Sequence, residues 1–409
     1  MYFNSEQSIS PLSAKSPDRR QWAICFLCFL IIVVDGLDTS SIAYVAPVLS
    51  EAWGLGKGAI APAFTCTSVG AVLGYLLSGR LVRQFGRRHL IAMSIAIFGT
   101  LSICTAYVDS LSILSLLRLL TAIGLGCTVP AVISFAADHS TDNHRASITI
   151  AVTTGLSFGA AAGGVLSSYL IGHFGWRSVF ISGGVLALVL LPFVWKHMYE
   201  TSYPSRDRAG IEKADFTSLF RDGAASATSL IWLLAFVSFL VTYLFMFWVP
   251  TMLASFGFSP TQAPLGSGAF GLGGVTGNLV LLPLVRRFGP QRLVIAMSLL
   301  AICCLGGLAF GDFHATVVLL LIAGVGAGMV TACVSQSTLA VLCYPRGLRI
   351  IGLGSAAAVG RLGSVVGPAI GGALMANEIA PRMIMLAACV PVLLVILILA
   401  ASWKAERRT

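Results

Sequence analysis

The feature that most constrains this chain is a succession of apolar runs, each long enough to cross a lipid bilayer. Spanning the hydrocarbon core takes about 20 mainly apolar residues in a helix. Such runs fall at about 22–49, 59–82, 89–108, 111–137, 146–170 and 177–196, and again at about 228–253, 264–285, 292–312, 314–343, 350–376 and 382–403. Inside lipid every backbone amide needs an internal partner, so runs of this length fold as helices. Composition agrees, because hydrophobic residues make up 57% of the chain and charged ones 10%, with a mean hydropathy of +0.90. A soluble domain carries about a quarter charged residues, so this chain cannot cover itself with a polar skin. The expected fold is an all-α membrane protein with twelve transmembrane helices in two six-helix halves. The expected organisation is a tail over 1–21, a first half over 22–196, a linker over 197–227, a second half over 228–403 and a tail over 404–409.

The first run follows Arg19 and Arg20, as the apolar stretch of a signal peptide would, but it holds Asp35 and Asp38 and continues for a full helix. It is therefore read as a span. The net charge of +10 would suit a nucleic-acid partner in a soluble protein. Its distribution points elsewhere. With both termini placed in the cytoplasm, only Lys57, Arg177 and Arg382 of the 26 lysines and arginines fall in loops on the far side. Arg118 and Arg361 fall inside spans, and all the others gather on the cytoplasmic side. The positive-inside rule accounts for that bias, so no nucleic-acid partner is expected, and the location expected is the bacterial inner membrane. Trp22, Trp53, Trp176, Trp195 and Trp403 stand at span ends, as an interfacial aromatic belt predicts.

All ten cysteines fall inside expected spans, which argues against disulfides. Cys25 and Cys28 form a C-x-x-C on a lipid-embedded helix with no second ligand pair, and are read as packing residues. The six histidines show no metal-ligand spacing, and no phosphate loop, nucleophile elbow or zinc motif is present. Neither an enzyme, a metal nor a cofactor is expected.

Internal repeats carry more information. Gly86, after Gly79-Arg80-Leu81-Val82-Arg83-Gln84-Phe85, recurs as Gly289 at an offset of 203. Gly124 and Gly126 recur as Gly326 and Gly328 at 202, and Gly155, Gly159, Gly163 and Gly164 recur as Gly363, Gly367, Gly371 and Gly372 at 208. A nearly constant offset indicates two homologous halves of parallel topology, an arrangement common in transporters. The glycine stripes read first as places where helix backbones approach closely.

With these residues in view, the chain resembles the major facilitator superfamily and, within it, the aromatic acid:proton symporter family. The resemblance covers essentially the whole chain. It rests on Asp35-Gly36-Leu37-Asp38, Arg118 with Gly124 and Gly126, Gly175-Trp176-Arg177, Tyr344-Pro345 and Gly360-Arg361-Leu362-Gly363. Length and compact loops resemble the hydroxyphenylpropionate- and hydroxybenzoate-type members most. One departure stands out. The family's gating loop after the second span usually carries an Asp where this chain has Arg83, while Gly79, Gly86, Arg87 and Arg88 are kept. The resemblance therefore puts the usual latch in doubt, with Asp138 and Asp142 as candidate substitutes.

Charges inside the membrane point to function. Asp35 and Arg361 lie near the middle of their spans, Asp38 is three residues beyond Asp35, and Arg118 is about eight residues from the outer end of its span. Insertion scales charge about 2.5–3.5 kcal/mol for each such residue at a helix centre. Bland readings stand beside the functional one. Arg118 can snorkel or brace a helix pair, Asp35 and Asp38 can serve as structural partners of the arginines, and Asp138 can be a solvated loop carboxylate. The repeat favours function, because Arg118 maps to Leu320 and Arg361 to Thr153, so the fold does not demand charge at these positions. A carboxyl withdrawn from water takes up a proton more readily, and once it does so an arginine is free to pair with a substrate carboxylate bidentately. The expectation is proton-coupled uptake of an organic anion by alternating access, with Asp35, Asp38 and Asp138 as coupling residues. Arg118, Arg361, Tyr44, Tyr243 and Trp248 are the expected substrate residues. That the anion is a small aromatic acid is what the resemblance implies. The partners expected are that acid, protons and the bilayer, around a monomer. An exporter of organic anions or drugs with the same fold is the alternative.

Overall fold

The computed structural model describes residues 19–56, 58–140, 145–198, 219–220, 224–344 and 348–406. Most of the expected tail 1–21 and of the linker 197–227, together with Asp142, Pro345 and residues 407–409, lies outside the described residues. Twelve α-helices account for nearly everything described. The first six are α1 (Arg19–Ala52), α2 (Ala61–Phe85), α3 (Arg87–Thr105), α4 (Leu111–Asp138), α5 (Arg145–Phe174) and α6 (Arg177–His197). The second six are α7 (Ala224–Leu253), α8 (Pro264–Phe288), α9 (Pro290–Phe310), α10 (Ala315–Cys343), α11 (Arg349–Ala376) and α12 (Pro381–Glu406). Eleven helices among the described residues are long and apolar enough to cross a membrane.

Local chemistry explains the breaks between spans. Gly86 and Gly289 both have φ of +80°, a conformation that favours glycine. Each turns the chain between two spans of its half, and Pro290 then starts α9, where its missing N–H costs nothing. The bundle is apolar outside as well as inside. Phe26, Leu76, Leu320 and Val390 are all exposed, the pattern of a surface facing lipid. Trp22 and Trp195 are exposed at helix ends, as a belt requires. Trp53 and Trp176 differ from that expectation. Their rings meet edge-on at 6.1 Å, and Trp176 is buried beneath the Arg177 guanidinium.

The glycine stripes are contact surfaces. A Cβ on Gly159 would sit 2.0 Å from the Val33 carbonyl oxygen, so α5 meets α1 backbone to backbone. In the second half, a Cβ on Gly363 or Gly367 would sit 2.2 Å from a carbonyl oxygen of α7. Small residues permit this close approach. The final glycines of the two stripes face across the halves, Gly164 against Gly268 of α8 and Gly372 against Ala61 of α2. Other features repeat too. Arg177 donates to Asp109 at 2.8 Å, and Arg382 likewise donates to Asp312, each tying the start of a half's last helix to the loop before its fourth.

The halves press together on the side opposite the chain termini. There Ser168 donates to the Thr261 carbonyl at 2.9 Å, and Phe64 stacks on Phe247 at 5.0 Å while meeting Trp248 edge-on. Toward the termini, Gly79 of α2 and Gly354 of α11 have open space beside them. These contacts seal the halves together on the far side.

Backbone contact of this kind makes a clear expectation. Gly159→Val or Gly273→Val, where a Cβ would lie 2.0 Å and 1.8 Å from a carbonyl oxygen, should destabilise the protein by about 1–3 kcal/mol or more. Thermal unfolding of purified protein in detergent should show a clear drop in midpoint. Gly79→Ala, with nothing within 4 Å, should hold or raise it.

Candidate functional site

A cavity lies where α1, α2, α4 and α5 face α7 and α11, just inside the Phe64–Phe247 seal. About 400 Å³ of empty space lies between its lining side chains when its open mouth is included. Its polar wall is Asp35, Thr39, Thr67, Ser68, Tyr75, Tyr243 and Arg361. Leu125, Val129, Leu156 and Phe247 make most of its apolar wall.

Arg361 projects from the middle of α11 and is held by neutral groups. Its guanidinium carbon lies 3.9 Å from the Tyr75 ring centre and 5.6 Å from that of Phe239. Its Nη1 donates to the Tyr243 hydroxyl at 3.2 Å. None of the four ion pairs among the described residues involves it. Stacking and one neutral hydrogen bond fix the plane of the guanidinium while leaving its other donors available.

Asp35 and Asp38 share the same stretch of α1 yet have different surroundings. Asp35 lines the cavity, accepts from Thr39 at 3.3 Å through Oδ1, and has no partner for Oδ2. Asp38 turns instead toward α3 and α4. Ser102 donates to its Oδ1, and Arg118 approaches Oδ2 at 3.4 Å and donates to its carbonyl oxygen at 2.8 Å. Arg118 and Asp38 are both fully buried, so Arg118 neither snorkels nor reaches the cavity wall. Its repeat counterpart Leu320 is 66% exposed.

Tyr44 and Trp248 also lie apart from the cavity wall. The Tyr44 hydroxyl donates to the Ala160 carbonyl at 2.8 Å, and Trp248 Nε1 donates to the Pro368 carbonyl at 3.0 Å. Ala160 and Pro368 are related by the 208-residue offset, as are Gly163 and Gly371, which leave room for the two rings. The two aromatics are repeat equivalents, bracing α1 to α5 and α7 to α11. At the termini side, Asp138 forms an ion pair with Arg87 at the start of α3. Arg88 donates to the Trp195 carbonyl, and Arg83 is exposed. Asp138 thus stands beside the α2–α3 connection, some distance along α4 from the cavity-lining Leu125 and Val129.

The structure brings together Asp35, Tyr243 and Arg361 from the expected set. Sequence reasoning did not single out Tyr75, Thr39, Thr67 or Ser68. A polar-tipped aromatic in mid-span, seven residues from a Thr-Ser pair on one helix, is the signal that marks three of them.

Comparisons with known proteins fit this geometry. The family profile described as Major Facilitator Superfamily matches residues 28–340 and 231–409. The chain is 30% identical to a gallate transporter of Pseudomonas putida, covering 87% of this chain and 86% of that one. It is 31% identical to a 3-(3-hydroxy-phenyl)propionate transporter of Escherichia coli (strain K12), covering 86% of each. Among solved structures, a bacterial homolog of the human lysosomal transporter Spinster, inward-facing and occupied, superposes with a TM-score of 0.74 at 16% identity, covering 95% and 98%.

The contrast between the two aspartates is testable. Removing one partner of a buried ion pair costs about 3–5 kcal/mol, so Asp38→Ala should sharply lower the unfolding midpoint and the yield of folded protein. Asp35→Ala should stay near the parent in the same assay. Equal stability of both variants would mean that the Asp38–Arg118 pair is not what holds α1 to α4.

Proposed function

The chain belongs to the Major Facilitator Superfamily, and from that premise we propose that it imports an aromatic carboxylate together with a proton by alternating access. The observation that carries this reading is one cavity lined by both Arg361 and Asp35. The transporters of gallate and of 3-(3-hydroxy-phenyl)propionate that it matches support an aromatic acid as the cargo.

The residues divide the work. Arg361 offers a planar fork to the substrate carboxylate, and a bidentate pair of this kind is both strong and directional. Tyr243 accepts from Arg361 through its oxygen, so its own hydroxyl proton is free to reach the same carboxylate. Leu125, Val129 and Phe247 offer apolar surface to the ring. Asp35 is the proton carrier. Its unpartnered Oδ2 sits buried beside the cavity, and a buried charge without partners is costly. Protonation removes that charge and leaves Arg361 as the local excess, which draws in the anion. Release of the proton restores the carboxylate and weakens the hold on the anion. Proton and substrate therefore load and leave together.

Phe247 forms part of both the cavity wall and the seal on Phe64, so rocking of the halves that opens this seal exposes the site to the other side. The positive-inside bias supports cytoplasmic termini, and the bacterial relatives suit an inner-membrane location. One chain holds all the groups needed, consistent with a monomer.

Two substitutions test the reading in proteoliposomes. Arg361→Lys keeps the charge but loses the fork, and should raise the substrate KM about tenfold or more, with folded protein retained. Asp35→Asn mimics the protonated acid. It should still exchange labelled for unlabelled substrate while failing to accumulate it under an inward proton gradient. Full accumulation by Asp35→Asn would remove Asp35 from coupling, and an unchanged KM for Arg361→Lys would remove Arg361 from the substrate.

A further inference from the structure

Arg361 is held from both halves of the molecule. Phe239 and Tyr243 belong to α7, the helix that α11 already meets backbone to backbone at Gly363 and Gly367. Tyr75 belongs to α2, in the first half. Its ring is the nearer aromatic face, 3.9 Å from the guanidinium carbon against 5.6 Å for Phe239. A guanidinium over an aromatic ring is attracted by the ring's quadrupole, and its planar shape suits stacking on that face.

The two helices are seated in their own halves without this contact. A Cβ on Gly70 or Gly74 would sit 2.2 Å from a carbonyl oxygen of α4, so backbone contact beside Tyr75 already fixes α2. Tyr75 itself is half-buried and lines the cavity. By the 203-residue offset that relates Gly86 to Gly289, its counterpart in the second half is Asn278. The repeated frame therefore does not demand a ring at this position. What sets Tyr75 apart is the guanidinium of the other half.

We propose that Tyr75 is a positioning residue, through which the first half sets the anion affinity of an arginine carried by the second. The proposal rests on the reading of Arg361 as the carboxylate partner. A bidentate pair with a carboxylate needs the plane of the guanidinium to be fixed, and a free arginine side chain has much rotamer freedom to lose. The Tyr243 hydroxyl holds Nη1, but one hydrogen bond leaves the plane free to turn about it. The Tyr75 face removes that freedom without bringing in an anion that would compete with the substrate. The ring face is the working part, so phenylalanine can replace tyrosine here and an aliphatic side chain cannot.

The test uses the full-length protein in proteoliposomes, with whichever of labelled gallate, 3-(3-hydroxyphenyl)propionate and 4-hydroxybenzoate the parent carries at the lowest KM. Tyr75→Leu should raise that KM about tenfold, leave kcat within about threefold and keep the unfolding midpoint near that of the parent. Tyr75→Phe should hold the KM within about twofold. In an Arg361→Lys background, where the ammonium has no plane to hold, Tyr75→Leu should add less than about threefold. Tyr75→Met, which also lacks a ring, takes the place of Tyr75→Leu if that variant does not fold, with the same rise expected. A parent-like KM in the ringless variant overturns the proposal, and the carboxylate reading still stands if Arg361→Lys alone raises the KM. A tenfold rise in Tyr75→Phe, or an undiminished rise in the Arg361→Lys background, also overturns it, because Tyr75 would not then act through its ring face on Arg361. If folded parent protein carries none of the three acids, both readings fall.

Discussion

Everything in this structure turns on how two guanidinium groups are kept inside a bundle that faces lipid. Each is costly in the absence of compensation, and the protein compensates them in different ways. Arg118 is given a fixed anionic partner, Asp38, on the neighbouring helix, together with a backbone carbonyl. Arg361 is given two tyrosines and a phenylalanine, which hold its plane and leave its charge uncancelled by any ion pair among the described residues. The first arrangement binds α4 to α1. The second leaves a cation in a cavity that also holds the unpaired oxygen of Asp35, and a site of that kind is suited to an anion and a proton arriving together.

The repeated frame makes this asymmetry possible. Glycine stripes on α5 and α11 bring α1 and α7 into backbone contact in the same way in both halves, and Tyr44 and Trp248 clamp the two pairs at equivalent carbonyls. With the scaffold supplied twice over, the charged positions need not repeat, and Leu320 and Thr153 stand where Arg118 and Arg361 have their counterparts. The last glycine of each stripe meets the opposite half near the Phe64–Phe247 stack. Phe247 lies both in that seal and in the cavity wall.

Much of this was legible in the sequence because membrane folding follows one-dimensional rules. Apolar length marked the helices, and the nearly constant offset of repeated glycines, Gly86 and Gly289 among them, marked the halves. Mid-span charge marked Asp35 and Arg361 for the same reason, since lipid makes such residues expensive. What the sequence left open was direction. Asp35 and Asp38 are one turn apart, and only the packing of α3 and α4 shows that one faces the cavity and the other faces Arg118. Tyr44 and Trp248 resemble ring-binding aromatics in a list of residues, but their polar tips are committed to backbone carbonyls, as only the helix pairing reveals. Hydroxyl residues such as Ser68 and Thr39 carry no insertion penalty large enough to be noticed, so nothing in composition draws attention to them. Arg83 stands where the resemblance implies an acid, and only the fold shows that Asp138 lies beside Arg87.

The central claim is that anion and proton move in one step through the cavity shared by Arg361 and Asp35. It is tested most directly by following external pH and labelled 4-hydroxybenzoate together in proteoliposomes with no imposed gradient. The account predicts that the outside medium becomes more alkaline in step with entry of the acid, at a rate above that of protein-free vesicles. Protein-dependent entry of the acid with no accompanying change in external pH would contradict it.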